Sequence, residues 1–150
     1  MTDCPGSPGV FTPPMNPIDE GVRTFVKTLW TEVNAQFPDA FAHVGGDEVA
    51  GECWGANKTI TDYMAAHNIS AGDYGALQAE FEADVMSGIK SDGKRSIIWQ
   101  ENFAGDDGYP ADAVVEVWKG DSADATAVLR NVTAAGYDAL YTRGAARLSP

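Results

Sequence analysis

Apolar positions recur along this chain at two different periods. Val22, Phe25, Val26, Leu29, Trp30 and Val33 fall at the spacing of one helix face. Asp19 and Glu20, just after Pro17, suit that helix's start, and Pro38 stops it after Phe37. Phe41 to Val44 is a short apolar run cut off by Gly45 and Gly46, which predicts a buried strand. Helical spacing returns over 58–67 and again over 73–90, where Leu77, Phe81, Val85 and Ile89 share a face. Residues 95–100, with Ile97, Ile98 and Trp99, predict a second strand, and Ala113 to Trp118 a third. A helix is predicted over 122–135, closed by Gly136, and a fourth strand over 137–142.

This order of elements is α/β, with parallel strands joined by crossover helices. The spacing suits consecutive units of a (β/α)8 TIM barrel. A whole barrel takes about 250 residues, so the 150 here amount to about half of one. Ahead of the first helix, residues 4–17 hold Cys4 and five prolines, Pro5, Pro8, Pro13, Pro14 and Pro17, which read as an extended surface loop.

Composition narrows the function. Apolar residues make up 44% and charged residues 21%, as in a folding domain. A formal charge of -12 argues against nucleic acid or an anionic membrane as partner, since phosphate binders need a basic face. No window approaches the roughly 20 apolar residues of a membrane span. Met1, Thr2, Asp3 and Cys4 do not begin a signal peptide. Asn57, Asn68 and Asn131 each open an N-x-S/T triplet, so all three are glycosylation candidates and tilt the chain toward the secretory pathway. The absent export signal fits that tilt if the true N-terminus lies further upstream.

The stretch richest in chemistry is 43–54, His-Val-Gly-Gly-Asp-Glu-Val-Ala-Gly-Glu-Cys-Trp. It comes directly after a strand, and in a barrel the C-terminal strand ends carry the chemistry. Neighbouring strand residues point to opposite faces, so Asp47 and Glu48 can serve one site only where the backbone leaves the pleat. Gly45 and Gly46 permit that departure. Two carboxylates held close repel, and one then tends to keep its proton, giving the acid beside an anion that glycosidic cleavage requires. A solvated loop pair is the plain alternative. The strand, the glycines and the flanking His43, Cys53 and Trp54 weigh against it.

At these residues the sequence resembles glycoside hydrolase family 20, the β-N-acetylhexosaminidases. HVGGDEV followed by CW looks like the family signature. The likeness also runs through MNPIDEGVRTFVKTLWTEVNAQFPD, SIIWQENF, VVEVWKG and AAGYDAL, in the family's order, over roughly residues 4–141. It implies that residues 1–150 are about the middle half of a family 20 catalytic barrel, bounded by the proline-rich loop at 1–17 and a divergent tail at 142–150. It further implies retaining, substrate-assisted hydrolysis of terminal non-reducing β-linked N-acetylhexosamines, with no cofactor and no metal. Glu48 would be the general acid and Asp47 the group that holds the acetamido nitrogen.

Trp99 and Trp118 would line the pocket for the acetamido methyl and the sugar face, where arbitrary strand tryptophans would be core. His43 is either a hydrogen-bonded barrel residue or a partner that tunes the carboxylates. Gln100 and Glu101 come after Trp99; one could face the site rim, and Glu101 reads as an ordinary loop acid. Trp54 packs a loop, and His67 reads as surface. Cys4 and Cys53 match positions disulfide-bonded in animal relatives, with free thiols as the alternative. Such a bond closes a loop of about 49 residues, worth roughly 4 kcal/mol in the chain-entropy model.

The implied partners are glycans that contain N-acetylglucosamine or N-acetylgalactosamine, and the full-length protein could be a homodimer. Its location would be lysosomal, vacuolar or extracellular. The tail departs from the family, because no tyrosine and aspartate matching its aromatic-Tyr-Leu-Asp segment come after Tyr141. Two readings therefore stay open, an enzyme segment and an inactive sugar-binding or interaction remnant. A different barrel hydrolase with an Asp-Glu pair would make the other matches accidental.

Overall fold

The computed structural model describes Cys4 and residues 14–103 and 109–142. Most of the proline-rich loop, and the tail from 143 onward, lie outside these described residues. The elements run α1 (Glu20–Gln36), β1 (Phe41–Gly45), α2 (Lys58–Ala66), α3 (Tyr74–Ser91), β2 (Arg95–Trp99), β3 (Val114–Val117), α4 (Ser122–Ala134) and β4 (Asp138–Tyr141). Short 3-10 segments cover Gly51–Ala56 and Gln100–Asn102. Every element expected from periodicity is present, with ends shifted by a residue or two.

The helix starts are chemically specified. Asp19, Asn57, Asp73 and Asp121 each accept a bond from backbone N–H groups of the first turn. Gly136 lies just past α4 with φ 90°, the left-handed geometry of a glycine C-cap.

The strands form one parallel sheet in the order β1-β2-β3-β4. Parallel neighbours need crossovers, supplied here by α3 between β1 and β2 and by α4 between β3 and β4. One sheet face packs against the helices. Ala42 joins Val26 of α1 and Val85 and Ile89 of α3. Ile98 and Val115 join Ala79 and Met86 of α3 and Val132 of α4. A third cluster, Trp54, Ile60, Met64 and Leu77, seats the 3-10 segment and α2 on α3. Alternation sends the other residues, His43, Trp99 and Glu116, to the opposite face. Four consecutive parallel strands with helices on one side form a partial (β/α)8 barrel.

The apolar stripe of α1 is only partly buried. Val26 is buried, but Phe25 is 62% and Leu29 46% exposed. Both flank β1, the edge strand, where no described element covers them. Leu140 and Tyr141 are exposed at the other edge, on β4.

Candidate active site

The site begins where β1 stops pairing regularly. Phe41, Ala42 and His43 pair with Arg95, Ser96 and Ile97, but Gly45 pairs with Ile98, so one residue is skipped. Such a bulge bends the strand and re-aims the residues after it. Gly45 and Gly46 then take φ of 78° and 100°. Glu48 itself has φ 53°, a left-handed value that a side chain such as glutamate adopts at a cost of about 1–3 kcal/mol. Asn68, the other non-glycine residue with positive φ among those described, belongs to a type that tolerates it. The glycine pair thus takes the chain out of the pleat, as the sequence predicts.

The bend is tied on two sides. Gly45 N–H donates to Nδ1 of His43 at 3.0 Å. On the α3 side, the Gln78 amide donates to the Gly46 carbonyl at 2.8 Å. Gln78 also donates to Glu82 at 2.8 Å, and Tyr109 donates its hydroxyl to the same carboxylate at 3.0 Å. Glu82 and Tyr109 are buried, so this support is shielded from water.

Asp47 is half-buried and Glu48 exposed. Glu48 lines a cleft of about 360 Å³ together with Glu52, Tyr74, Gln78, Glu101 and Lys119. A larger apolar hollow of about 480 Å³ lies against α1 and β1, between Phe25, Leu29, Val49 and Phe81. Apart from Gln78 and Glu82, which are hydrogen-bonded to each other beneath the bend, and the Gly46 backbone, its lining is apolar, so the cleft at the strand ends is the better candidate.

Three rings stand in contact on the open face of the sheet. His43 lies 4.5 Å from Trp99, and Trp99 lies 5.7 Å from Trp118, centroid to centroid. Trp99 ends β2 and Trp118 comes just after β3, and both are half-buried. The two tryptophans therefore sit together at the strand ends rather than in the packed core.

Glu101 requires a correction. It is not an ordinary loop acid: it accepts the Trp118 indole N–H at 3.0 Å and pairs with Lys119 at 2.7 Å. Gln100 accepts the backbone N–H groups of Trp118 and Lys119, each at 2.7 Å. The end of β2 thereby anchors the end of β3. The hydrogen bond to Glu101 raises the Lys119 ammonium above its ordinary value, with the charges of Glu101, Glu48 and Asp47 adding to the effect. Lys119 lines the same cleft as Glu48. The sequence placed it next to Trp118 without signalling this.

His43 turns its other nitrogen to Glu116, with Nε2 3.0 Å from the carboxylate. Glu116 was legible only as a lone charge inside an apolar strand. Cys4 and Cys53 are joined in a disulfide, with Cα atoms 4.5 Å apart. Trp54 is buried and donates its indole N–H to the Met15 carbonyl. His67, Asn68 and Asn131 are exposed, while Asn57 is half-buried at the cap of α2. Among the described residues no three His, Cys, Asp or Glu side chains are grouped to hold a metal ion, and no helix is long and apolar enough to cross a membrane.

Comparison with known proteins agrees with this geometry. The profile described as Glycosyl hydrolase family 20, catalytic domain, matches residues 6–147. Beta-hexosaminidase subunit beta of Mus musculus is 35% identical over 129 residues, which cover 84% of this chain and 24% of that protein. The corresponding human subunit is 36% identical over 129 residues, covering 86% of this chain and 23% of its own length. The X-ray structure of Flavobacterium johnsoniae chitobiase superposes with a TM-score of 0.78 at 29% identity, covering 91% of this chain and 21% of that one. An exo β-N-acetylglucosaminidase from Vibrio harveyi, in complex with N-acetylglucosamine, gives 0.72 at 25% identity, covering 87% and 19%. The chain spans about a quarter of the length of these curated relatives.

Proposed function

Because this chain belongs to glycosyl hydrolase family 20, we propose that it carries the acid-base centre of a β-N-acetylhexosaminidase, which removes terminal non-reducing N-acetylhexosamines from β-linked glycans. The observation that supports this reading is the glycine bend that takes the chain out of the pleat just ahead of Asp47 and Glu48, at the strand ends where Trp99 and Trp118 also lie.

The proposed reaction is substrate-assisted. The 2-acetamido oxygen of the sugar forms a bond to the anomeric carbon as the glycosidic bond breaks. The electron pair of that bond leaves with the glycosidic oxygen, which takes the Glu48 proton. Asp47 holds the acetamido N–H and offsets the charge of the oxazolinium intermediate. Water, deprotonated by Glu48, then opens the ring and restores the acetamide with retained configuration. Trp99 and Trp118 offer aromatic faces to the acetamido methyl and the sugar ring. His43 acts behind the carboxylates.

The disulfide and the three N-x-S/T triplets support an oxidising, secretory location, lysosomal, vacuolar or extracellular. The glycans would end in N-acetylglucosamine or N-acetylgalactosamine. The full-length protein could form a homodimer. The exposed apolar edges at Phe25, Leu29 and Leu140 support a need for the rest of a barrel, so the chain alone should be unstable or inactive.

The mechanism has a direct test in a polypeptide that supplies the remaining strands. Proton NMR of the first-formed sugar should show retained β configuration, and a substrate with a 2-hydroxyl in place of the acetamide should not be cleaved. Inverted product, or comparable cleavage of the hydroxyl analogue, would sink it. The lack of a tyrosine and an aspartate after Tyr141 favours a second reading, an inactive sugar-binding remnant. Binding of N-acetylglucosamine without turnover would select that reading.

A further inference from the structure

The bond that holds the glycine bend, from Gly45 N–H to Nδ1 of His43, exists only for one form of the imidazole. Nδ1 must present a lone pair, so the ring hydrogen must sit on Nε2. The Nε2 of His43 faces Glu116 at 3.0 Å, and a carboxylate there can only accept. Glu116 therefore selects the tautomer that the bend requires. It is itself held, because Thr142 at the end of β4 donates its hydroxyl to the other carboxylate oxygen at 2.6 Å.

The chain of bonds thus runs from β4 through β3 to β1 and ends on the backbone that turns out toward Asp47 and Glu48. Side-chain exposure is 12% for Glu116 and 29% for His43, so the bond between them is partly shielded from bulk water, whereas Thr142 is exposed. His43 also lies against Trp99, so a displaced ring would disturb the aromatic wall as well as the bend.

We infer that Glu116 is a positioning residue, which fixes His43 as the Nε2–H tautomer and so sets the backbone bend that aims Asp47 and Glu48. The inference rests on the reading of those two as the reacting pair. It assigns Glu116 a role other than charge pairing, since a neutral imidazole suffices as donor.

The test uses a polypeptide that supplies the rest of the barrel, a chromogenic N-acetylglucosaminide, and hydrogen exchange of the backbone amides over 44–48. Glu116→Ala should lower kcat roughly 10- to 100-fold, the effect of a small misplacement of reacting groups, with KM within about 3-fold. Exchange over 44–48 should speed up by about 10-fold or more, as the Gly45 bond opens freely. His43→Asn puts an amide oxygen near the Nδ1 position but cannot reach Glu116. In that background Glu116→Ala should cost less than about 3-fold, because residues acting as one unit are not additive. An equal loss in both backgrounds, or unchanged exchange over 44–48, would overturn the inference.

If Glu116→Ala does not fold, Glu116→Gln carries the test. It keeps an acceptor oxygen for His43, so exchange should stay within about 3-fold of the parent. Acceleration as large as that of His43→Ala would overturn the assignment. If exchange responds as expected in a protein that cleaves no N-acetylglucosaminide, the hold on the bend stands and the hexosaminidase reading fails.

Discussion

The two faces of the sheet are made from alternate residues of the same strands, yet they obey different rules. Toward the helices stand Ala42, Ile98, Val115 and Val117, all buried and apolar. Toward the open side stand His43, Trp99, Glu116 and Trp118, half-buried, in ring contact or hydrogen-bonded. The first face holds the fold together through burial alone. The second holds side chains in fixed directions through paired polar groups. Position along a strand thus decides which of these two environments a side chain enters.

The largest stability effect expected from this contrast is on the packed face. Ile98 is fully buried between α3, β3 and α4, so Ile98→Ala should lower stability by roughly 3 kcal/mol in a denaturant titration. A loss below about 1 kcal/mol would mean that this face is not the core. Gly45→Ala should cost less, about 1–2 kcal/mol. No heavy atom lies within 4 Å of the added Cβ, so the penalty is the left-handed backbone rather than a clash. Because that residue starts the bend, turnover should fall more than stability does.

The open face should show the reverse ranking. Trp118→Phe keeps an aromatic ring but loses the indole N–H given to Glu101. It should raise KM several-fold while stability shifts by about 1 kcal/mol or less, the size of one hydrogen bond. A stability loss matching that of Ile98→Ala would erase the distinction between the faces.

The smallest effect lies outside both. Lys90 and Asp112 form an exposed pair, and Lys90→Ala should cost about 0.5 kcal/mol or less. The hydrogen bond from Lys90 lowers the Asp112 pKa. A lowered carboxylate stabilises the fold above its ordinary range, and that contribution disappears as acid protonates it. The difference between parent and variant should therefore vanish in acid.

How much of this was legible in the sequence depended on whether the signal was local. Period placed every helix and strand, and Asp19 and Gly136 marked helix ends, because such signals act within one turn. Gly45-Gly46 before Asp47 marked the bend for the same reason. Glu101 and Gln100 were not legible, since their partners Trp118 and Lys119 are set by the register of β2 on β3. Glu116 did leave a trace, as one carboxylate in an apolar strand is unusual unless paired. Only the fold identified His43 as its partner. The exposure of Phe25 and Leu29 was hidden too, because periodicity gives a face but not the element that lies against it.

The role proposed for Glu48, proton donor, has its most direct test in Glu48→Gln, made in a polypeptide that supplies the remaining barrel strands. The measurement is kcat on a chromogenic N-acetylglucosaminide, with the thermal midpoint followed in parallel. A proton donor at this position requires a fall of roughly 10²- to 10⁴-fold with the midpoint nearly unchanged. Turnover equal to that of the parent, in a folded variant, would contradict it.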